Sequence, residues 1–387
     1  MRTFLLWLLA LLFLAAPVQA FETTATSAWV YDVNTSTVLM SKNAEVPIPP
    51  ASMSKLMTLY MVFEALEKGA LTLDETVPVS TKAWKMGGSK MFVEPADTPT
   101  VEQLIKGIIV LSGNDACVVL AERLAGTEEA FAAQMTERAK ALGLKHSVFK
   151  NSTGWPAEGH VMSAEDLGML AMHIIQDFPQ YYDDFSLREF RYMDRVPSNR
   201  FNRNPILKLD IGADGLKTGH TQEAGYGLVG SAVQDGRRVI FVVSGLQSET
   251  ARAEESERLA NWAFRQFSME TLVPAGDTVL EAPVWLGTQS RVGLTTRDGV
   301  RILVPAGARD RIQVEAVYDS PIPATDADRA GIRAGDPLGK LIVSLDGKVV
   351  SEQPLLAAED VAAAGFAGRM KGAVMRLGHK AVEAAGL

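Results

Sequence analysis

Strand-like sequence stands at both ends of a long helical stretch, and this arrangement narrows the folds open to the chain. Near the N-terminus, Trp29-Val30-Tyr31-Asp32-Val33 and Thr37-Val38-Leu39-Met40 enclose Asn34-Thr35-Ser36, a hairpin pattern. Two further strand-like runs, 226–233 and 238–245, enclose Asp235-Gly236, a pair that favours a two-residue hairpin turn. Helical sequence lies between these hairpins, clearest over 104–125 and 128–142, and a further helical run covers 251–267. Strands from both chain ends with helices between them predict an α+β domain, an antiparallel sheet flanked by helices. Beyond about residue 270 the pattern changes. Short strand-like pieces (284–286, 300–304, 312–317, 341–345) alternate with Gly and Pro turns, which predicts a separate small all-β domain.

Composition sets the class. The chain has 387 residues, of which 47% are hydrophobic, so it has ample apolar surface for two or three folded domains. Its net charge of −8 argues against a nucleic-acid partner, which requires a basic footprint. Cys117 is the only cysteine, which rules out an internal disulfide and a cysteine-based zinc site. The five histidines show no metal-ligand spacing, so a metallohydrolase is not expected.

The two chain ends carry signals of their own. Arg2, the apolar run 4–14 and Val18-Gln19-Ala20 form the three regions of a secretory signal peptide cleaved after Ala20. The apolar run is shorter than the ~20 residues that a spanning helix needs. At the other end, Phe366, Met370, Val374, Leu377 and Ala381 recur at helical spacing among Arg369, Lys371, Arg376 and Lys380. A basic amphipathic helix of this kind can rest on a membrane surface, and its narrow stripe predicts weak contact. The expected organisation is a signal peptide (1–20), a larger α+β domain (21–268), a β domain (269–358) and a short C-terminal helix (359–387).

Three short motifs carry the chemistry: Ser52-Met53-Ser54-Lys55, Ser112-Gly113-Asn114 and Lys217-Thr218-Gly219. A serine hydroxyl is a poor nucleophile until a neighbouring base removes its proton. Lys55, three residues after Ser52, shares its helix face and can be that base when neutral. Reaching neutrality at pH 7 from a pKa near 10.4 costs about 4 kcal/mol. Burial and a second cation push in that direction, and Lys217 is the expected cation. Ser112 can relay a proton to a leaving amine, and the Asn114 amide can hold a substrate carbonyl. The stretch from Gly215 to His220 is expected at a sheet edge where an extended peptide could pair. Gly219 would keep that edge open to close backbone approach. Lys217 and Thr218 offer a charge and a hydroxyl to a terminal carboxylate, as do Arg203 and Arg252, whose forks suit carboxylates. Cys117, in an apolar run, reads as an inert buried thiol.

In this fixed order the motifs resemble the S-x-x-K, S-x-N and K-T-G elements of penicillin-binding proteins and serine β-lactamases. With their flanks, 50–58, 112–117 and 214–221, they resemble the low-molecular-weight penicillin-binding proteins of the penicillin-binding protein 5 type, the D-alanyl-D-alanine carboxypeptidases. The resemblance implies a serine β-lactamase/transpeptidase-like domain followed by the small β domain and C-terminal helix. It implies Ser52 as acylated nucleophile, Lys55 as proton acceptor and Ser112 as relay, with Asn114, Lys217, Thr218, Gly219, Arg203 and Arg252 on the substrate. The backbone N–H groups of Ser52 and His220 would form the oxyanion hole. The implied reaction is release of the terminal D-alanine from peptidoglycan stem peptides, in cell-wall biosynthesis and shape maintenance, with β-lactam antibiotics as covalent inhibitors. The implied location is the periplasm, peripheral on the inner membrane. The loop Ser152-Thr153-Gly154-Trp155-Pro156 departs from the His-Gly-Leu found in many relatives. No E-x-x-L-N string between the second and third motifs supplies the deacylating glutamate of a class A β-lactamase.

Overall fold

A computed structural model describes residues 21–325, 330–366 and 370. The chain forms two compact units. Of the described residues, the first comprises 21–30, Met40–Val233 and Ile240–Trp262, and the second comprises Tyr31–Leu39, Gln234–Val239 and those from 263 onward.

The strands β1 (Ser27–Asp32), β2 (Thr37–Lys42), β3 (Ala213–Thr221), β4 (Gly225–Gln234) and β5 (Arg237–Leu246) form one sheet in the order β2-β1-β5-β4-β3. Both expected hairpins are present. Asp235 and Gly236 take φ of 49° and 75°, the two left-handed residues that a two-residue hairpin of matching twist requires. β3 therefore lies at the edge of the sheet, paired with β4 alone, in antiparallel register that sets Lys217 opposite Val229 and His220 opposite Tyr226.

The helices are α1 (Lys55–Glu67), α2 (Thr81–Lys85), α3 (Val101–Leu111), α4 (Asn114–Ala125), α5 (Glu128–Ala141), α6 (Ala164–Asp177), α7 (Pro179–Tyr182) and α8 (Glu249–Arg265). The single helical run expected over 104–125 is two helices. A capping box of Thr100 and Gln103 starts α3, and Ser112 stops it by adopting φ 58°, which turns the chain before α4 begins. α4 is buried from Asn114 to Ala121 and packs against α1, α2, α3 and α5, so the second motif opens the central helix. α6 was not anticipated. Its N-cap is Ser163, whose hydroxyl accepts from Asp166 N, and it meets the sheet where Trp29 lies against Gly168. A Cβ at Gly168 would stand 2.3 Å from the Trp29 ring.

In the second unit, β6 (Phe267–Val273) pairs with β9 (Val300–Pro305). The strands β7 (Thr278–Trp285), β8 (Arg291–Thr295), β10 (Ile312–Tyr318), β11 (Ile322–Pro323), β12 (Pro337–Leu345) and β13 (Lys348–Ala357) form a sheet ordered β10-β12-β13-β8-β7-β11. Leu294, Val300, Leu341, Leu355 and Val361 are among its buried core. The two hairpin tips join this unit through Arg237, which ion-pairs with buried Asp32 and donates to the carbonyls of Ala263 and Phe267 at 2.9 and 3.0 Å. The expected helix does not start at 359: Val361 bridges to Ile332 and Ala363 to Gly287, because the Val361 side chain is held in the β core. The signal peptide and nearly all of the expected amphipathic helix lie outside the described residues. Among the described residues, no helix is long and apolar enough to cross a membrane.

Candidate active site

Ser52 sits on a turn clamped from two sides. Pro49-Pro50 ends the incoming chain, and a short 3-10 helix, Ala51–Ser54, leads into α1. Ser52 is half-buried, while Lys55, the first residue of α1, is completely buried. Lys55 Nζ lies 2.9 Å from Ser52 Oγ and donates at 2.5 Å to the carbonyl of Thr153. The loop carrying Thr153 is itself held rigidly. Asn151 Oδ1 accepts from the backbone N–H of Thr153, Gly154 and Trp155 at 3.1, 2.8 and 3.1 Å. The buried Glu128 carboxylate accepts from Ser152 N at 3.1 Å and Ser152 Oγ at 2.8 Å. Gly154 adopts φ 79° and packs so closely that a Cβ there would lie 1.8 Å from Ala51 O.

The second motif is fixed by a buried carboxylate. Asp115 accepts from Met91 N, Phe92 N and Val93 N at 2.8, 2.7 and 3.2 Å, fastening the 87–93 loop to the start of α4. Asn114 N donates to Ser89 O at 2.8 Å, and its side-chain amide donates to Gly87 O at 2.8 Å. Part of the donor capacity expected for substrate is thus used in holding this loop. Ser112 Oγ accepts from Lys217 Nζ at 3.0 Å.

The third motif brings Lys217 to that hydroxyl from the edge strand β3, and Lys217 Nζ also donates to Thr218 O at 3.1 Å. Gly219 faces the nucleophile's own turn, since a Cβ there would lie 3.0 Å from Pro50 O and 3.2 Å from Met53 N. The missing side chain admits that turn, where the sequence suggested clearance for an incoming peptide. His220 is exposed and stacks on Tyr226 at 3.9 Å between centroids. Arg203 is exposed and donates to Ser89 Oγ. Arg252 is buried, bonds Glu249 at 3.0 Å and reaches the Arg203 carbonyl at 3.5 Å. Arg252 thus braces the segment of Arg203, and of the two carboxylate candidates Arg203 is the more exposed.

Electrostatics separate the two lysines. Burial lowers Lys55 to about 8, and the nearby charge of Arg203 adds to the effect. Burial also lowers Lys217, aided by the charges of Lys55 and Arg203. The two buried lysines act on each other, as the expected pairing of Lys217 with Lys55 requires, and the charge of Arg203 bears on both. Burial raises the Cys117 thiol to about 12, which leaves it inert as expected. Among the described residues, no group of His, Cys, Asp and Glu could hold a metal ion.

Ser52–Lys55 and Ser112–Lys217 thus form two hydrogen-bonded pairs, whose lysines lie close enough for the charge of one to act on the other. Residues 14–248 match the family described as D-alanyl-D-alanine carboxypeptidase. The chain belongs to that family. Nine of the ten candidate residues fall inside the match and Arg252 lies just beyond it, and the D-alanyl-D-alanine carboxypeptidase family makes this chain a serine hydrolase of peptidoglycan metabolism. Residues 267–363 match the C-terminal domain of penicillin-binding protein 5. The chain is 37% identical over 348 residues to D-alanyl-D-alanine carboxypeptidase DacF of Bacillus subtilis, covering 88% of this chain and 87% of that one. It is similar to the crystal structure of penicillin-binding protein 5 from Haemophilus influenzae, with TM-score 0.74, 32% identity, and coverage of 89% and 99%. It is also similar to penicillin-binding protein D2 of Listeria monocytogenes in its ampicillin-bound form, with TM-score 0.57, 30% identity, and coverage of 63% and 98%. Within this carboxypeptidase framework, sequence reasoning missed Asp115, Glu128, Asn151 and the Thr153 carbonyl. An acidic residue directly after Ser-Gly-Asn was the one available signal.

Proposed function

We propose that Ser52 is the residue acylated when this carboxypeptidase releases the terminal D-alanine of a peptidoglycan stem peptide. The observation that carries the assignment is the pair of contacts at Ser52–Lys55 (2.9 Å) and Ser112–Lys217 (3.0 Å). Neutral Lys55 takes the Ser52 proton as Oγ attacks the carbonyl carbon of the last peptide bond. The N–H groups of Ser52 and His220 receive the developing oxyanion, where one such donor is worth roughly 10²–10³ in rate. Lys55 returns the proton through Ser112, held by Lys217, to the departing D-alanine nitrogen. Water then hydrolyses the ester. Arg203 and Thr218 receive the terminal carboxylate, with Arg252 behind them and Gly219 admitting the turn. Asn114 holds the peptide carbonyl of the donor. These steps need no metal or organic cofactor.

Penicillins present a strained amide to the same hydroxyl and would acylate it, a reading supported by the ampicillin-bound relative. Residues 21–268 serve as the catalytic part and 269–358 as the β part. The signal-peptide pattern supports export to the periplasm, and the basic amphipathic stripe after 359 supports peripheral contact with the inner membrane.

A D-Ala-D-Ala-ended pentapeptide tests the assignment. The purified protein should release D-alanine, and Ser52→Ala should lose at least roughly 10³-fold in kcat/KM. Undiminished release by a folded Ser52→Ala protein would overturn it.

A further inference from the structure

The segment that ends in Arg203 is folded back on itself. Phe190 N donates to Arg200 O and Asn202 N to Arg188 O, both at 2.8 Å, and Glu189 bridges to Phe201. The stretches 188–190 and 200–202 therefore run side by side, and Arg203 follows the second of them directly. Between them, Met193 and Asp194 take φ of 52° and 50°, two successive left-handed residues at which the chain turns. This excursion lies against the 87–94 loop and the end of α3. Tyr192, Val196 and Asn199 face Met91, Phe92 and Leu111 across a gap of only about 10 Å³, which leaves no room for a ligand.

One ion pair fastens the excursion to that loop. The Arg195 fork meets the Asp97 carboxylate with both nitrogens, Nη2 donating to Oδ1 at 2.6 Å and Nη1 to Oδ2. Nη1 also donates to Phe92 O at 2.9 Å. Asp97 is buried, and its Oδ2 accepts from Glu94 N at 2.8 Å. The Arg195 fork holds this carboxyl below the usual carboxylate range, so the pair stays charged near neutral pH. Paired bonds of this kind fix orientation as well as distance. Asn199 adds a bond to Lys90 O at 2.9 Å. The loop gripped in this way also holds two of the groups assigned to substrate. Ser89 Oγ accepts from Arg203 itself, and Ser89 O and Gly87 O accept from Asn114, each at 2.8 Å. Among the described residues, neither Asp97 nor Arg195 bonds to Ser52, Lys55, Ser112 or Lys217.

We propose that the Arg195–Asp97 pair is a latch that positions Arg203 for the terminal carboxylate of the stem peptide. The inference rests on the carboxylate role given to Arg203 above. Arg195 and Asp97 are positioning residues. They hold the 188–202 excursion, from which the Arg203 backbone emerges, in register with the loop whose Ser89 receives the Arg203 side chain. The fork then meets the carboxylate already oriented. With the latch open, the guanidinium has to be ordered when substrate binds, and that cost weakens carboxylate binding.

Two pentapeptides, one with a free terminal carboxylate and one ending in an amide, separate this role from a loss of stability. The full protein should bind the acid with a KM about tenfold or more below that of the amide. Asp97→Asn and Arg195→Met should each raise KM for the acid about fivefold to tenfold, with kcat little changed and the amide nearly unaffected. The two substitutions together should cost no more than either alone, because both open one latch. Arg123→Gln breaks a different ion pair, to Glu75, and should leave the acid-over-amide preference intact. Melting curves establish that all the variants fold. A full preference for the acid in folded Asp97→Asn and Arg195→Met, or an equal loss of it in Arg123→Gln, would overturn the latch. An unmodified protein that treats acid and amide alike would instead overturn the carboxylate role of Arg203, and the latch with it.

Discussion

Lys55 Nζ donates a hydrogen bond to the backbone carbonyl of Thr153 at 2.5 Å, across 98 positions of sequence. A carbonyl oxygen can only accept, so this contact persists whether the amine is charged or neutral. The neutral amine, held by one N–H, can then turn its lone pair to the Ser52 hydroxyl 2.9 Å away. If Lys55 is the base as proposed, the 151–155 loop works as part of it, although none of its side chains needs to touch substrate.

Glu128 should matter for catalysis without meeting the reacting atoms. Its carboxylate holds Ser152 N and Oγ and pairs with Lys82 at 3.0 Å. Hydrogen bonds to a charged group contribute about 1.5–3 kcal/mol. Glu128→Ala should lower kcat/KM for the pentapeptide by about tenfold to a hundredfold and also lower the melting temperature. Steady-state kinetics beside a thermal melt check both, and unchanged kcat/KM would remove the loop from the base.

A pH profile reads the lysine directly. With Lys55 at about 8, the productive neutral form is scarce at pH 6 and abundant at pH 9. The rate of penicillin acylation should climb about tenfold per pH unit below 8 and level off above it. Arg203 lowers Lys55, so Arg203→Gln should raise that pKa and move the rising limb to higher pH. A limb that stays in place would show that burial alone tunes the base.

Two glycines of nearly equal φ should respond differently to alanine. Gly126 has φ 78° and nothing within 4 Å of a new Cβ, whereas at Gly154, with φ 79°, the Cβ would meet Ala51 O at 1.8 Å. Gly126→Ala should cost only backbone strain, about 1 kcal/mol, and retain D-alanine release. Gly154→Ala must displace the nucleophile's turn and should lose penicillin acylation. Acylation time courses on the two variants make the comparison.

Cys117 should resist alkylation by a thiol reagent at pH 8 in the folded protein, because it is fully buried and its thiol is raised to about 12. Denaturant should expose it and give one label per chain, as measured by intact mass.

Sequence made the side chains of the chemistry legible and left their support hidden. Ser52, Lys55, Ser112 and Lys217 belong to compact motifs whose residue types suit the proposed reaction. The Asp235-Gly236 hairpin could be read because two left-handed residues in succession leave few alternatives. The Thr153 carbonyl could not, because every residue has a carbonyl and only the folded loop shows which one meets Lys55. Asp115 and Glu128 likewise bond backbone N–H groups, whose positions no pattern of side chains reveals. The break at Ser112 was obscured by an apolar periodicity that runs through α3 and α4 alike. The start at 359 failed for a similar reason: alanines with helical spacing conceal the pull of the β core on Val361.

Mapping the penicillin adduct most directly tests whether this pocket acts through one hydroxyl. After brief exposure to a penicillin, digestion and peptide mass spectrometry should place a single acyl group on Ser52, and Ser52→Ala should carry none. An adduct on another residue, or labelling that survives in folded Ser52→Ala, would contradict the assignment.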